Sequence, residues 1–393
     1  MNKKIAQYGD HFIDDKDIKS VNKVLRGNFL TTGPQVNLFE KMFSEKVGVK
    51  YSLSCANGTV ALHLSLKALE VGKDDFVIVP NITFFASVSA VIMSGAKPLL
   101  CDVNPDDGLI NKDSLRLLLK RYGYNKIKAV IIVHLNGKIV DISNLIKITK
   151  KIPIIEDSCH ALGGAKKGKN FFFRVGSCHK STLATFSFHP VKNITTGEGG
   201  MVTTNKKILY QKLTLLRNHH LERFPTNSVN FPYEINNLGY NYRLSDINCA
   251  LGVSQLKKLH IFKKYRLKLV NRYKKNLLYF KDFIKFIPNN SDDDIFWHLN
   301  VLLIDFKKIK LTRAKVMIAL KEKGIGSQIH YKPINNFKYI KESFKENSSH
   351  EYIGSQKYFK KIITLPLHYN LKITDVDYIC KTLIDILNLK KNK

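Results

Sequence analysis

A single lysine lies between an apolar run and a glycine-rich stretch. The apolar residues end at Phe188, Lys192 follows, and Gly197, Gly199 and Gly200 precede the next apolar run. A lysine held at the edge of a core is costly, which suggests that it has a use. Its amine becomes a nucleophile when loss of solvent or nearby positive charge lowers its pKa. Lys192 is therefore a candidate nucleophile, although a lysine in a flexible loop would show the same pattern.

An acidic pair ends a second apolar run. Glu156 and Asp157 close a predicted strand, and His160 follows three residues later. Parallel sheets build ligand sites at the carboxyl ends of their strands, and successive strand side chains point to opposite faces. Pyridoxal phosphate needs a carboxylate against its pyridine nitrogen. Asp157 could serve that purpose while Glu156 faces away. His160 could stack on such a ring or bind its phenolic oxygen, or it could be purely structural.

Two further stretches follow strands and carry small or aromatic residues. Gly58 and Thr59 end a run of small residues that leads into a predicted helix, where backbone N–H groups can surround a phosphate. The run matches neither G-x-G-x-x-G nor a Walker motif, so it indicates neither a dinucleotide nor an ATP site. Phe84 or Phe85 could lie flat on an aromatic cofactor, although a phenylalanine is more often part of the core.

The elements that must position these residues alternate between strand and helix patterns from about residue 51 to residue 204. This alternation predicts an α/β fold with a mainly parallel central sheet. The predicted strands are Phe76–Pro80, Pro98–Val103, Ala129–His134, Pro153–Asp157, Ala184–Phe188 and Met201–Thr204. A long helix is expected to connect residues 1–255, a large cofactor-binding domain, to residues 256–393, a smaller C-terminal α+β domain. That second domain is predicted to contain a strand at Trp297–Ile304 and a terminal helix around Asp375–Leu387.

In this order the four stretches resemble the sugar-nucleotide aminotransferases of the DegT/DnrJ family, which are fold-type I enzymes that use pyridoxal 5′-phosphate. The most diagnostic part is Ser187-Phe-His-Pro-Val-Lys192 with Gly197-Glu-Gly-Gly200. The resemblance implies that Lys192 is the Schiff-base lysine and Asp157 the partner of the pyridine nitrogen. It places the ring-stacking aromatic at Phe84 and a cofactor contact at His160, where many members have glutamine. The implied phosphate ligands are Gly58, Thr59 and Ser187.

The same resemblance implies that the active site is shared between two subunits. The polar stretch around Asn241 and Arg243 is similar to the loop that such enzymes donate to the neighbouring subunit. Asn241 would reach the partner's cofactor phosphate, which implies a homodimer. The alternative is that the stretch is an ordinary surface loop.

Four stretches of the chain are Ser158–Gly163, His189–Thr196, Gly326–Pro333 and Leu365–His368. They are most similar to the aminotransferases of the pseudaminic acid pathway. The substrate implied is a UDP-linked 4-keto-6-deoxy-N-acetyl hexose, and the product is UDP-4-amino-4,6-dideoxy-N-acetyl-β-L-altrosamine. L-glutamate would be the amino donor. Other nucleotide 4-keto sugars, of the bacillosamine or perosamine type, are the alternatives. Dehydratases of the family have histidine at the lysine position, which Lys192 argues against. The residues that would line the sugar site are Tyr8, Asn28, Phe29, Leu30, Thr31, His330 and Tyr331.

The composition limits the class of protein. The chain has 393 residues, of which 44% are hydrophobic, enough for a large core. Six isolated cysteines without a C-x-x-C pair indicate free thiols rather than a metal site. No signal-like or membrane-spanning stretch is evident, so we expect a cytoplasmic protein without membrane association. The net charge of +32 is spread along the whole chain, which favours a solvated surface over a nucleic-acid binder or regulator.

Overall fold

The computed structural model describes residues 6–168, 172–223, 233–347 and 351–389 of the chain. Its strands, in chain order, are β1 (Tyr51–Cys55), β2 (Phe76–Pro80), β3 (Lys97–Cys101), β4 (Ile127–Val133), β5 (Ile154–Asp157), β6 (Ala165–Lys167), β7 (Phe172–Arg174), β8 (Leu183–Ser187), β9 (Gly200–Thr204), β10 (Leu221–Arg223), β11 (Tyr233–Ile235), β12 (Ile284–Phe286), β13 (Asp293–Asp294), β14 (Asn300–Ile304) and β15 (Ile362–Leu365). All six predicted strands of the first half are present within two residues of their expected bounds.

The helices cover the sheet and join its strands. In chain order they are α1 (Asp15–Leu25), α2 (Pro34–Val47), α3 (Gly58–Ala68), α4 (Ala86–Met93), α5 (Lys112–Tyr122), α6 (Ile142–Thr149), α7 (Lys207–Arg217), α8 (Asp246–Lys257), α9 (Leu259–Leu277), α10 (Phe306–Ile309), α11 (Arg313–Glu322), α12 (Lys338–Ser343), α13 (Ile353–Lys361) and α14 (Ile373–Ile386). No helix in the described parts of the chain combines the length and apolar character needed to cross a bilayer.

Seven strands form the central sheet in the order β1-β9-β8-β5-β4-β2-β3. Strand β9 pairs antiparallel with both neighbours, and the other pairs are parallel. Strands β2, β4, β5 and β8 are almost entirely buried, because helices cover both faces of a parallel sheet. The predicted α/β class with a mainly parallel sheet is therefore confirmed.

The connection to the C-terminal part differs from the single long helix that the apolar spacing predicts. Helices α8 and α9 are separate and meet at Lys258. The Lys258 amine pairs with Asp14 at 2.8 Å and with Asp17 at 2.5 Å, which ties the junction to α1. The apolar spacing continues across the junction, so the periodicity alone does not reveal the break.

A second, antiparallel sheet of order β12-β14-β15 lies in the C-terminal part. Helices α9 and α14 pack together beside it, and Tyr273 of α9 is fully buried with its hydroxyl donating to the Pro366 carbonyl at 2.9 Å. The N-terminal segment reaches this part, because Ala6 forms a parallel bridge with Ile325. That bridge brings Tyr8 beside His330, with 5.2 Å between ring centroids.

Candidate active site

One cavity of about 390 Å³ lies at the carboxyl ends of β4, β5 and β8. Ten of the fifteen residues predicted for the site line it, although they come from distant parts of the chain. They are Tyr8, Gly58, Thr59, Phe84, Asp157, His160, Ser187, Lys192, His330 and Tyr331. The parallel topology explains the convergence, because strand ends that meet at one sheet edge bring together the residues that follow them.

Asp157 ends β5 inside this cavity and is only 6% exposed. Its Oδ2 accepts a hydrogen bond from the Ser87 hydroxyl at 2.8 Å, and its Oδ1 accepts one from the Cys159 backbone N–H at 3.2 Å. Thr83 holds Ser87 in turn, with 2.8 Å between the two hydroxyl oxygens. Within the described residues, Asp157 forms no ion pair. A buried carboxylate without a cationic partner is suited to a positively charged ligand group.

Glu156 faces the opposite side of the sheet, as the strand alternation predicts. Its carboxylate lies 2.9 Å from His134 Nε2 and also accepts a hydrogen bond from the Ser181 hydroxyl. Both members of the His134–Glu156 pair are buried. The two adjacent carboxylates thus differ in their surroundings, since Glu156 is already satisfied by the protein.

Lys192 follows β8 and lines the same cavity as Asp157. Its backbone N–H closes a tight turn by donating to the His189 carbonyl at 2.8 Å. Burial lowers the pKa of the Lys192 amine below its ordinary value, whereas Cys159 and Asp157 act in the opposite direction. A lowered pKa increases the fraction of neutral amine, which is the nucleophilic form.

The N-terminus of α3 forms a narrow cradle beside Ser187. Asn57 caps the helix, its side chain accepting from the Val60 N–H at 2.9 Å, and Gly58 and Thr59 at the start of the helix line the cavity. A Cβ on Gly58 would meet Ser187 Cβ at 2.8 Å. Only glycine leaves room here, and the backbone N–H groups with two hydroxyls suit a phosphate.

Aromatic and imidazole rings form the remaining wall. Phe84 is 59% exposed and its ring centroid lies 5.9 Å from that of Tyr331, so Phe84 is not a core residue. The Tyr331 hydroxyl lies 3.2 Å from His160 Nε2. His330 Nδ1 lies 2.8 Å from the Thr364 hydroxyl, and burial lowers the pKa of His330 to about 3. This wall is therefore largely uncharged and can contact both a planar ring and hydroxyl groups.

The five other predicted residues do not line the cavity of their own chain. They are Asn28, Phe29, Leu30, Thr31 and Asn241. All five are exposed, and residues 30 and 31 contact the stretch that follows Asn241, because Thr31 forms a bridge with Ser245 and the Asp246 N–H donates to the Leu30 carbonyl. We call residues 28–31 and 241–245 the exposed segments after the exposed residues they contain, although Leu244 is buried and Tyr242, Arg243 and Ser245 are half-buried.

Sequence reasoning did not identify several residues that line or support the cavity. Ser87 and Thr83 hold the Asp157 carboxylate, whereas Cys159, His189 and Glu198 line the cavity wall. His189 and Glu198 belong to the diagnostic stretch around Lys192, so their position in the sequence was a usable signal. Ser87 lies inside a helix, and its contact with Asp157 joins positions 70 residues apart. Spacing along the chain gives no sign of that contact.

Comparison with known proteins places the chain among sugar aminotransferases. It is 35% identical to the UDP-4-amino-4,6-dideoxy-N-acetyl-beta-L-altrosamine transaminase of Campylobacter jejuni, over 98% of both chains. It is 31% identical to the spore coat polysaccharide biosynthesis protein SpsC of Bacillus subtilis, over 97% of this chain and 96% of the other.

Solved structures of aminotransferases are also similar to this chain. Helicobacter pylori PseC, an aminotransferase involved in the biosynthesis of pseudoaminic acid, superposes with a TM-score of 0.86 at 29% identity, over 98% of this chain and 100% of PseC. The putative sugar aminotransferase Spr1654 of Streptococcus pneumoniae, in its PLP-form, gives 0.86 at 28% identity, over 98% and 99%. The model of the DegT/DnrJ/EryC1/StrS aminotransferase family matches residues 11–384. The chain belongs to this family.

Proposed function

We propose that the protein is a pyridoxal 5′-phosphate-dependent aminotransferase that aminates C4 of a UDP-linked 4-keto-6-deoxy-N-acetyl hexose. One observation carries the proposal: the buried Asp157 carboxylate, without an ion pair in the described residues, shares a cavity with the Lys192 amine. A protonated pyridine nitrogen would supply the missing positive charge, and an aldehyde would supply the partner of the amine.

The residues present fit the cofactor. Gly58, Thr59 and Ser187 would hold its phosphate in the cradle at the N-terminus of α3, where an added Cβ would leave no room. Asp157 would hold the ring nitrogen, with Phe84 and His160 beside the ring. When bound, the cofactor supplies an electron sink for charge that develops at the carbon losing a proton.

The chain's own residues provide the acid–base chemistry. Burial favours the neutral form of the Lys192 amine, which can accept a proton from the donor's α-carbon and return it as the amino group is transferred. Ser87 and the Cys159 N–H fix the direction of the Asp157 carboxylate by binding both of its oxygens. The side of the cavity formed by Asp157, His160 and His330 is buried, which limits the access of water from that side.

Three observations support the substrate class. The wall of Tyr8, His330 and Tyr331 offers ring faces and neutral polar groups to a sugar. The Campylobacter jejuni relative is a UDP-4-amino-4,6-dideoxy-N-acetyl-β-L-altrosamine transaminase, and the two chains match over nearly their full lengths. We propose the same product, UDP-4-amino-4,6-dideoxy-N-acetyl-β-L-altrosamine, with L-glutamate as the amino donor and the cytoplasm as the location. The net charge of +32 would help to attract an anionic nucleotide.

We further propose a homodimer in which the exposed segments complete the partner's site. The support is that all five predicted residues that miss their own cavity are exposed, and that Thr31 forms a bridge with Ser245, four residues after Asn241. A two-fold interface is self-complementary, so both cavities would be completed together. Asn241 would then reach the phosphate cradle of the other subunit.

We also propose that the large domain ends at residue 255 and that the small domain begins at residue 256.

Two measurements test the function. The purified protein should absorb visible light when loaded with cofactor, and borohydride reduction should leave the cofactor attached to Lys192 in a peptide mass map. A panel of UDP- and dTDP-linked 4-keto sugars, offered with glutamate, should yield an aminated product whose configuration NMR identifies as altrosamine. If only a bacillosamine- or perosamine-type substrate is aminated, the product of that reaction replaces the altrosamine nucleotide as the proposed product. No amination of any keto sugar would contradict the proposal.

A further inference from the structure

A tight turn follows β4 and lies behind the cavity. Asn136 has φ 63° and ψ 2°, a left-handed conformation that is unfavourable for a residue other than glycine. It is fully buried. Gly137 follows with φ 95°, and a Cβ there would lie 2.4 Å from the Phe296 carbonyl oxygen. The surrounding structure therefore holds this turn in one conformation.

The backbone of Asn136 contacts two buried histidines. Its N–H donates to His160 Nδ1 at 3.4 Å, and its carbonyl accepts from the His298 N–H at 3.1 Å. The two imidazole rings lie side by side, with 4.4 Å between centroids. The Asn136 side chain is held separately, because its Nδ2 donates to the Tyr358 hydroxyl at 3.2 Å. The turn thus fixes one edge of the His160 ring.

This contact determines where His160 carries its proton. A backbone amide can only donate, so Nδ1 must be the unprotonated nitrogen. Burial, together with the charges of Lys192 and His330, lowers the pKa of His160 well below its ordinary value, which keeps the ring neutral. The single proton is then on Nε2, which lies 3.2 Å from the Tyr331 hydroxyl oxygen. Nε2 donates to that oxygen.

Tyr331 lines the cavity, and the tautomer of His160 determines which hydrogen bonds its hydroxyl can form. Because its oxygen accepts from His160, its own proton is free to point elsewhere. Burial raises the pKa of Tyr331 well above its ordinary value, so the phenol stays protonated. With the opposite tautomer of His160, Tyr331 would have to donate to Nε2 and could present only lone pairs to a ligand.

We propose that Asn136 is a positioning residue: by fixing the Nε2–H tautomer of His160, it makes the Tyr331 hydroxyl a hydrogen-bond donor to the carbonyl oxygen of the keto sugar. The identity of the acceptor rests on the proposed function. The tautomer does not. Tyr331 thereby presents a proton, rather than only lone pairs, to an oxygen of the substrate.

Nitrogen-15 NMR of ligand-free protein labelled at histidine tests the tautomer, because the two ring nitrogens have distinct shifts when protonated. The His160 signals are assigned by their loss in His160→Gln. We expect a protonated Nε2 and an unprotonated Nδ1. A protonated Nδ1, or a charged ring, would overturn the proposal whatever reaction the enzyme catalyses.

Variants of the turn test its cause. Asn136→Val places a β-branched residue at positive φ, which should move the amide and mix the two tautomers. Tyr358→Phe is the matched control, because it removes the side-chain anchor but leaves the backbone N–H in place. We expect its spectrum to keep the Nε2–H form. If a folded Asn136→Val protein retains the pure Nε2–H form, the turn does not set the tautomer.

Calorimetric binding tests the donor, and it does not require a variant of the turn. In the absence of glutamate, Tyr331→Phe should bind the UDP-4-keto sugar roughly tenfold more weakly than wild type, and UDP equally well. Equal affinity for the keto sugar would contradict the donor role. A loss of cofactor affinity alone would assign the acceptor to the cofactor and also overturn the proposal. If the wild-type protein binds no keto sugar while NMR shows the Nε2–H form, the proposed function fails and the tautomer stands.

Discussion

Ten predicted site residues line one cavity, whereas five lie on the exposed segments, residues 28–31 and 241–245, outside it. The cavity residues follow strand ends of the parallel sheet and are held by buried hydrogen bonds such as that between Ser87 and Asp157. The exposed segments include apolar side chains in contact with solvent, with Phe29 57% and Leu30 50% exposed. A monomer rarely leaves neighbouring large apolar side chains uncovered without an interaction partner. This contrast is the basis of the proposal that one chain builds the chemical centre and the partner's exposed segments complete its rim.

The largest expected effect tests the cavity side of this comparison. Lys192→Ala removes the amine that forms the covalent bond and carries the proton, so turnover should fall by roughly three orders of magnitude or more. Lys192→Arg is the control, because it keeps a positive charge but cannot act as the nucleophile, and it should be equally inactive. Steady-state assays with the keto sugar measure both variants. Near-normal activity in either would contradict the assignment of Lys192.

The second prediction compares the two carboxylates at the end of β5. Asp157→Asn keeps the shape but loses the charge opposite the proposed ring nitrogen, and turnover should fall on the order of 100-fold. Cofactor affinity, measured by absorbance titration, should fall less. Glu156→Gln is the matched control on the other face of the sheet, where His134 is its partner. It should lower stability and leave turnover per folded enzyme close to wild type. An Asp157→Asn enzyme as fast as wild type would contradict the assignment.

The third prediction concerns Asn241 in the exposed segments. An Asn241→Ala chain and a Lys192→Ala chain should each be impaired, yet a mixed dimer would contain one site with an intact Lys192 and an intact partner Asn241. Activity should recover toward one working site in each heterodimer after subunit exchange, which differential tags verify. Asn237→Ala, an exposed asparagine close by, is the control and should be active alone. Verified heterodimers without recovery would show that the exposed segments do not complete the partner's site.

The sequence predicts the residues that line the cavity better than the residues that hold them in place, and the reason is physical. Lys192 follows, and Asp157 ends, predicted strands that are mainly apolar, as expected of strands covered on both faces, so the sheet edge that gathers them can be inferred. Gly58 follows β1, which the sequence does not predict, because two serines interrupt its apolar residues. The contact between Ser87 and Asp157 and the contact between Asn136 and His160 depend on how helices and turns pack in three dimensions. Neither contact leaves a periodic signal.

The secondary structure also includes elements that the sequence predicts and elements that it does not. The bounds of β2 are as the sequence predicts, because five apolar or β-branched residues end at a proline followed by Asn81. The short strands β6, β7, β10 and β11 are missing from the prediction, since three exposed or mixed residues carry no clear alternation. The break at Lys258 is also absent, because it depends on ion pairs with α1.

The smallest expected effect concerns the junction between the two regions. His63 on α3 is 2% exposed, and its Nδ1 lies 3.3 Å from the hydroxyl of Tyr242 in the exposed segments. Burial, with a smaller contribution from Lys67, lowers the pKa of His63 to about 4 from its ordinary 6.5. Between these two values the unfolded chain binds the proton more readily than the folded protein does. The stabilising contribution of neutral His63 is therefore complete above pH 6.5 and decreases as the pH falls toward 4.

At pH 5.5 this decrease amounts to about 1.4 kcal/mol in the free energy of unfolding, relative to pH 7.5. Urea unfolding measures this change. Between pH 7.5 and pH 5.5, the free energy of unfolding should fall by about 1.4 kcal/mol less in His63→Gln than in the wild type. The other buried histidines affect both proteins equally, so the difference isolates His63. Tyr242→Phe is the control: it removes the hydroxyl but leaves the imidazole buried, and it should keep the wild-type pH dependence. If His63→Gln loses as much stability on acidification as the wild type, the junction is hydrated and His63 protonates without unfolding it.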